Sequence, residues 1–354
     1  MSREDDELPF LGEDAGASVV PRGFAPGEMV GCESCLRANA PTRMNCLYCG
    51  AAMPVTDAGN DLRRPSLRVL ESWEQGFNVV IVPQGGGAAN DLSVDVLSEA
   101  ASLLRVEAGQ LRGMREAGSP LPLVRVASRE EASLVEAKLR ALGWHVGIVA
   151  DEELAVETQA PKRIRRLEIG ADALAGWTSA EGAAEQVAWE RVVLFVAGRI
   201  ARKRIEVEER RGGGGRRGAE GEVIETREFH EDESVLDLYS VDAVAGWRIM
   251  AESFDYSCLG AEKRLTAAEN FKRLVETLRE RASRAAYDDS YRNVRAFLKF
   301  AWPLAEQTEA GSLRRIRPGR YNAEAVTSVS NETQFTRYGR LLQYFRLREL
   351  STPT

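Results

Sequence analysis

Histidine is almost missing from this chain of 354 residues, occurring only as His145 and His230. His145 falls in a strand-like run and reads as a core or edge residue. His230 opens His-Glu-Asp-Glu and reads as part of an acidic hairpin rather than a metal cluster. Three catalytic signatures are also missing: a Gly-x-Ser-x-Gly elbow, a Gly-x-x-x-x-Gly-Lys phosphate loop and a His-Glu-x-x-His helix. No run approaches the roughly 20 apolar residues that a membrane helix needs. The opening MSREDDELPFLGEDAG lacks the apolar centre of a secretory signal, so a cytoplasmic protein without a membrane span is expected. Positive charge is not in excess: 47 Lys and Arg stand against 54 Asp and Glu, a net charge of −7. That balance argues against a general nucleic-acid binder. Aromatic residues make up 7% of the chain, and its six tryptophans are scattered, which suits core or edge anchors better than a stacking platform. A hydrophobic content of 44% supports ordinary cores, and the length suggests two or three domains.

Cysteine is scarce too, but four of the five are concentrated. Residues 31–54 read GCESCLRANAPTRMNCLYCGAAMP, with Cys32/Cys35 and Cys46/Cys49 as two Cys-x-x-Cys pairs. A Cys-x-x-Cys turn lets two sulfurs converge, and two such turns complete a tetrahedral thiolate shell with no position left for water. The expected ligands are therefore Cys32, Cys35, Cys46 and Cys49, and the expected ion is a structural Zn2+. A redox dithiol, an iron site and a catalytic zinc are the alternatives. Gly50 suits the turn after the second pair, and Asn39–Thr42, with Pro41, suits the return between pairs. The segment resembles a short zinc ribbon. Its few basic neighbours, Arg37 and Arg43, favour a protein partner over nucleic acid. Cys258 stands alone and is expected to be buried.

Residues 1–28 read as a disordered acidic leader, 29–54 as the ribbon and 55–74 as a linker. From 75 to 151 the pattern is β-α-α-β-α-β. FNVVIVP (77–83) is a strand, and a helix over 92–104 is capped by Asn90 or Asp91. A second helix ends at Gly118, a strand covers 122–128, and a helix over 128–143 opens with a Ser128/Glu131 capping box. The last strand is 144–151. FNVVIV, Glu107-Ala108 and SREEASLVEAKLRALGWHVGIV together resemble the ribosomal stalk C-terminal domain and the related Clp protease adaptor. The resemblance implies a small α+β module that binds another protein.

Residues 164–305 read as a β-rich domain with helices. Short strands come first, among them GEVIETREF, ESVLDLYS, WRIMAES and FDYS. An amphipathic helix over 265–282 follows, with Phe271, Leu274, Leu278 and Ala282 facing inward. A partly closed sheet or barrel plugged by that helix is expected. Its layout resembles a pleckstrin-homology-like fold. RRGGGGRRGAEG (210–221) reads as a flexible loop, with a phosphate or RNA contact as the alternative. Residues 306–335 read as a mobile segment and 336–350 as a basic amphipathic helix, either docked on the chain or binding a partner. Gly85–Gly87, between a strand and a helix, form a conceivable phosphate loop without the fingerprint spacing. Asp288-Asp289 fit helix capping.

The fold class expected is thus multidomain α+β. The function that follows is a non-enzymatic zinc-binding adaptor or protein-interaction protein. A second reading is an enzyme or ligand-binding protein with a pocket in the β-rich domain, using Asp237 and Asp255. A third is a ribosome- or RNA-associated factor, favoured if the arginines of 210–217 and 314–348 gather on one face.

Overall fold

A computed structural model describes residues 23–54, 62–71, 73–83, 93–179, 181–212, 222–242, 245–317 and 320–351. Of the loop expected at 210–221, residues 210–212 instead continue a strand, and residues 213–221 lie outside the described ones, as do most of the leader, the Gly85–Gly87 loop, Asn90 and Asp91. The chain divides into two compact units, Met1–Arg64 and Pro65–Thr354. The structure is mixed α/β with several sheets and, among the described residues, no helix long and apolar enough to cross a membrane.

The first unit contains β1 (Val30–Gly31) and β2 (Ala38–Asn39), paired antiparallel. Its apolar interior is only Cys32, Cys46 and Met53, with Val30, Cys35 and Ala51 packed around them. An interior of that size needs a cross-link or a metal to stay folded.

The second unit opens with β3 (Phe77–Ile81), α1 (Val94–Leu104), α2 (Ala108–Glu116), β4 (Leu121–Val126), α3 (Arg129–Ala141) and β5 (Val146–Ala150). β3 lies between β4 and β5 and is antiparallel to both. Its run Asn-Val-Val-Ile is buried throughout, as a central strand requires. Ser93 caps α1, accepting a hydrogen bond from Val96 N at 3.3 Å. Ser128 caps α3 from Glu131 N at 3.2 Å, but Glu131 does not complete a capping box. Its buried carboxylate instead accepts from Leu67 N at 2.8 Å, fixing the incoming chain.

Then come α4 (Asp151–Leu154), β6 (Lys162–Ile164), β7 (Arg166–Ile169), β8 (Ala173–Trp177), β9 (Glu185–Ala188), β10 (Val192–Gly212), β11 (Glu222–Ser240) and β12 (Trp247–Met250). They are followed by α5 (Ala267–Arg281), β13 (Ala286–Asp288), α6 (Tyr291–Leu298), β14 (Ala305–Arg317), β15 (Arg320–Ser330) and α7 (Glu332–Ser351). One sheet runs β14-β15-β10-β11-β12-β6, with β13 parallel to β10, and a separate sheet runs β7-β8-β9. Between them and α5 lies a core that includes Leu167, Leu174, Phe195, Leu238, Trp247, Leu274 and Leu278. Among the described residues these are open sheets and no barrel closes.

Three expectations are corrected. GEVIETREF and ESVLDLYS belong to one continuous strand, β11, held in register along β10. FDYS is not a strand; Tyr256–Glu262 form a 3-10 helix whose start is capped by Asp255. Residues 306–335, expected as a mobile segment, include two strands: β14 and β15 pair antiparallel, and β15 pairs with the outer half of β10. The result is a four-stranded arm, β14-β15-β10-β11. Beyond Ile200 on β10 and Val235 on β11, none of its described side chains is buried. Backbone ladders and cross-strand pairs such as Lys203–Glu228 (3.0 Å) hold it, without a core.

α7 is the opposite case. It reads as a basic amphipathic helix either docked on the chain or binding a partner, and Phe335, Tyr338 and Leu341 are fully buried in a core shared with β3, β4, β10 and α6. Gly339 allows this approach, since a Cβ there would overlap the Tyr239 hydroxyl and ring, and Gly198 on β10 faces Phe335 equally closely. Replacing a helical glycine by alanine ordinarily stabilises by about 1 kcal/mol. Gly339→Ala is expected to do the reverse, because Tyr239 is buried and held by Asp237 and overpacking costs about 1–3 kcal/mol. Urea unfolding that showed Gly339→Ala more stable than wild type would refute this packing.

The N-terminal turn of α7 carries a charge cluster. Glu332 accepts from Arg202 (2.6 Å), Arg163 (2.7 Å) and Arg248 (3.1 Å). Burial alone would raise its carboxyl, but the arginines outweigh burial and hold it at about 2, below the ordinary 4.5. A depressed carboxylate contributes stability that is complete above about pH 4.5 and disappears as pH falls toward 2. The stability gap between wild type and Glu332→Gln should therefore be constant from neutrality to about pH 5. It should then shrink by on the order of 2 kcal/mol by pH 2, measured by chemical denaturation.

Candidate metal centre

The two Cys-x-x-Cys turns are built alike. In the first, Leu36 N donates to Cys32 O (2.8 Å) and Cys32 N to Arg37 O (2.9 Å). In the second, Gly50 N donates to Cys46 O (3.0 Å) and Cys46 N to Ala51 O (2.7 Å). The residue after each second cysteine is left-handed, with φ +61° at Leu36 and +74° at Gly50. Glycine meets that requirement without strain, as its sequence position suggested, whereas leucine does not.

These turns bring all four Sγ atoms within 4.8 Å of one another. Cys32–Cys49 and Cys35–Cys46 are each 3.6 Å apart, and none of the cysteines is in a disulfide. A tetrahedron with metal–sulfur bonds of about 2.3 Å has edges of about 3.8 Å. The site therefore has the dimensions of a four-thiolate metal centre, and the four cysteines could hold a metal ion. Four thiolates complete the shell, so the chemistry available is cross-linking, not activation of water.

Asn39 is the component that cysteine spacing does not reveal. It is buried, and its Oδ1 accepts from Leu47 N at 2.8 Å. Its Nδ2 donates to Arg37 O at 2.9 Å and to Cys46 Sγ at 3.4 Å. One amide thus ties the first turn to the second and to a ligand. Tyr48 N also donates to Cys46 Sγ, at 3.4 Å. Although burial opposes it, hydrogen bonds from the Cys49 and Tyr48 backbone, from Asn39 and from Cys35 bring the Cys46 thiol down to about 6. The Cys35 thiol shifts the other way: its Arg37 backbone hydrogen bond favours the thiolate, but desolvation and the three neighbouring thiols push it up to about 12. Arg63, also buried, closes the unit by donating to Pro41 O and Pro54 O, each at 3.0 Å.

The other candidates are not gathered into a site. Asp237 is fully buried, bound by Arg248 at 2.7 and 2.8 Å and by the Tyr239 hydroxyl at 3.1 Å. Asp255 is spent on the 3-10 helix cap, through Ser257 N and Oγ. His230 is exposed on β11 beside Glu228, and His145 is exposed just before β5. Asp288 accepts from Ser290 N and from the Tyr338 hydroxyl, each at 3.1 Å, at the start of α6. Cys258 is half-buried, its thiol pushed up to about 11 by burial and by Asp255. Among the described residues the four-cysteine cluster is the one metal-competent group. No family model, curated protein or solved structure matches the chain.

Loss of a hydrogen bond that orients a ligand typically costs 10–100-fold in metal affinity. Asn39→Ala is expected to weaken metal binding by about that factor in a chelator competition. Asn39→Asp, which keeps the acceptor for Leu47 N but sets a carboxylate oxygen against Cys46 Sγ and Arg37 O, should weaken binding at least as much. Wild-type affinity in Asn39→Ala would remove Asn39 from the centre.

Proposed function

We propose that this protein is a non-enzymatic adaptor whose N-terminal unit is folded by a structural zinc ion and presents a docking surface to another protein. The observation that carries the reading is Leu36. It occupies a left-handed position where the matching turn has glycine, and it is 85% exposed. A leucine there is strained and leaves its apolar surface in water, which neither folding nor solubility requires. Leu47 and Tyr48, on the second turn, are also exposed, and the Arg37 guanidinium lies 4.8 Å from the Tyr48 ring centroid. An apolar patch with an arginine at its margin suits a protein surface that is apolar with an acidic rim.

The reading is supported by the four-thiolate geometry, which favours structure over catalysis. It is also supported by the β-α-α-β-α-β order over residues 75–151, which resembles the stalk and Clp adaptor modules used to bind proteins. The β-rich part, with α5 packed against its sheets, resembles a pleckstrin-homology-like layout and would add a second docking face. The enzyme reading placed its chemistry on Asp237 and Asp255, both of which are engaged in structural hydrogen bonds.

Leu36→Gly separates stability from docking. It should retain about one zinc per chain by mass spectrometry and hold it at least as tightly as wild type, because the strain is relieved. It should nevertheless lose a partner captured by wild type from lysate. Cys46→Ser/Cys49→Ser should lose both zinc and partner. Protein purified without zinc, or a partner retained by both variants, would overturn the proposal.

A further inference from the structure

The arm ends in a concentration of arginine that the whole-chain charge conceals. Register across β10, β15 and β14 aligns Arg210 with Asn322 and Arg314, and Arg211 with Tyr321 and Arg315. The next row aligns Gly212, Arg320 and Arg317. On the far side of β10, Glu222 of β11 pairs with Arg210. Six arginines and one carboxylate therefore occupy the last three rows of the sheet, on a chain of net charge −7. Carboxylates resume one row inward, at Glu209. The segment joining β10 to β11 adds Arg216 and Arg217 in sequence.

This placement comes from distant parts of the chain: residues 210–212 and 314–321 meet only because β15 pairs with both β10 and β14. It is also far from either core. Ten residue steps separate Arg202 from Gly212, about 33 Å of extended strand. Arg317 and Arg320 pair directly, and like charges placed opposite each other oppose sheet formation.

We propose that the tip of the arm binds the phosphate backbone of a nucleic acid, with Arg210, Arg211, Arg314, Arg315, Arg317 and Arg320 as the phosphate-contacting set. Three features select this ligand over an anionic membrane or an acidic protein. The cations are all arginine, whose planar fork matches phosphate oxygens in pairs. Tyr321 holds the register position between Arg211 and Arg315, and an aromatic residue within a set of cations suits a ligand that has bases as well as phosphates. A narrow projecting sheet reaches a groove or loop, while an anionic membrane would hold the same cations by charge alone and is separated by the vesicles in the test. A local basic site on an acidic chain also avoids indiscriminate coating of nucleic acid, since the remaining surface repels it.

The test is fluorescence anisotropy of full-length protein with single-stranded and duplex RNA and DNA of about 20 nucleotides, from about 50 to 200 mM salt. Phosphatidylserine vesicles and polyglutamate serve as the alternative anions. Six phosphate contacts to a single strand predict a slope of log K against log salt of about −4. Arg211→Gln/Arg315→Gln/Arg317→Gln should reduce that slope to about −2 and weaken binding at least tenfold at low salt. The corresponding triple lysine variant should keep most of the slope. Circular dichroism checks that each variant is folded, and Arg314→Gln/Arg320→Gln supplies a second, independent pair. Three results would overturn the proposal: no oligonucleotide binding at about 50 mM salt, binding unchanged in both glutamine variants, or preference for vesicles or polyglutamate over every oligonucleotide.

Discussion

A buried line of hydrogen bonds makes residues 65–354 one body. Arg125 on β4 donates to Asp151 Oδ2 at 2.6 and 2.8 Å, and Asp151 Oδ1 accepts from Asn78 on β3 at 2.9 Å. Asn78 Oδ1 accepts the indole N–H of Trp302 at 2.8 Å, and the Trp302 carbonyl accepts from Gln334 of α7 at 2.8 Å. Gln334 in turn accepts from the Tyr291 hydroxyl at 3.1 Å. Every side chain in this line is buried. An unmet partner in such a place costs about 1–3 kcal/mol, and more for a charge, so the line specifies one arrangement among the many that apolar contacts alone would allow. It spans more than 200 residues of sequence, and the continuous core around it contains β3 to β5 together with β10, α6 and α7.

α7 is where this line meets a second one. Arg248, nearly fully buried, donates to Asp237, to Thr336 of α7 at 2.9 Å and to Glu332 at 3.1 Å. Further along the helix, Arg340 reaches Leu154 O at 2.7 Å and Gln343 reaches Ser240 O at 3.1 Å. The polar residues that make α7 look like a surface helix are thus inside. Each is matched to a different element: the loop after α6, β12, α4 and the end of β11. Apolar packing through Phe335, Tyr338 and Leu341 provides most of the favourable burial. The polar set fixes rotation and register, because turning the helix by one residue would strand several buried donors at once.

This explains which parts of the molecule were legible in sequence. Segments 77–81, 129–141 and 267–281 show the period of their elements, since each packs one face or both on a core. The four cysteines were legible because ligand spacing is a local property. Asn39 was not, because its three partners are set by how two turns face each other. α7 was recognised as a helix, but the burial of Arg340 and Gln343 depends on acceptors about a hundred residues away or more. β14 and β15 were read as mobile because neither face of the arm has a core to impose alternation. Their strand character comes from backbone ladders alone, β14 with β15 and β15 with β10.

Three kinds of cohesion therefore operate in one chain, and they answer to different conditions. The N-terminal unit has almost no apolar interior, and its four cysteines could hold a metal ion; with one bound, its order would fail with a chelator or below the pH at which thiols reprotonate. The large core depends on burial and on the two polar lines, and weakens in acid as carboxylates such as Glu332 lose their charge. The arm depends on backbone ladders and ion pairs in water, so it is the part most open to salt and to pairing by another chain at the free edges of β11 and β14.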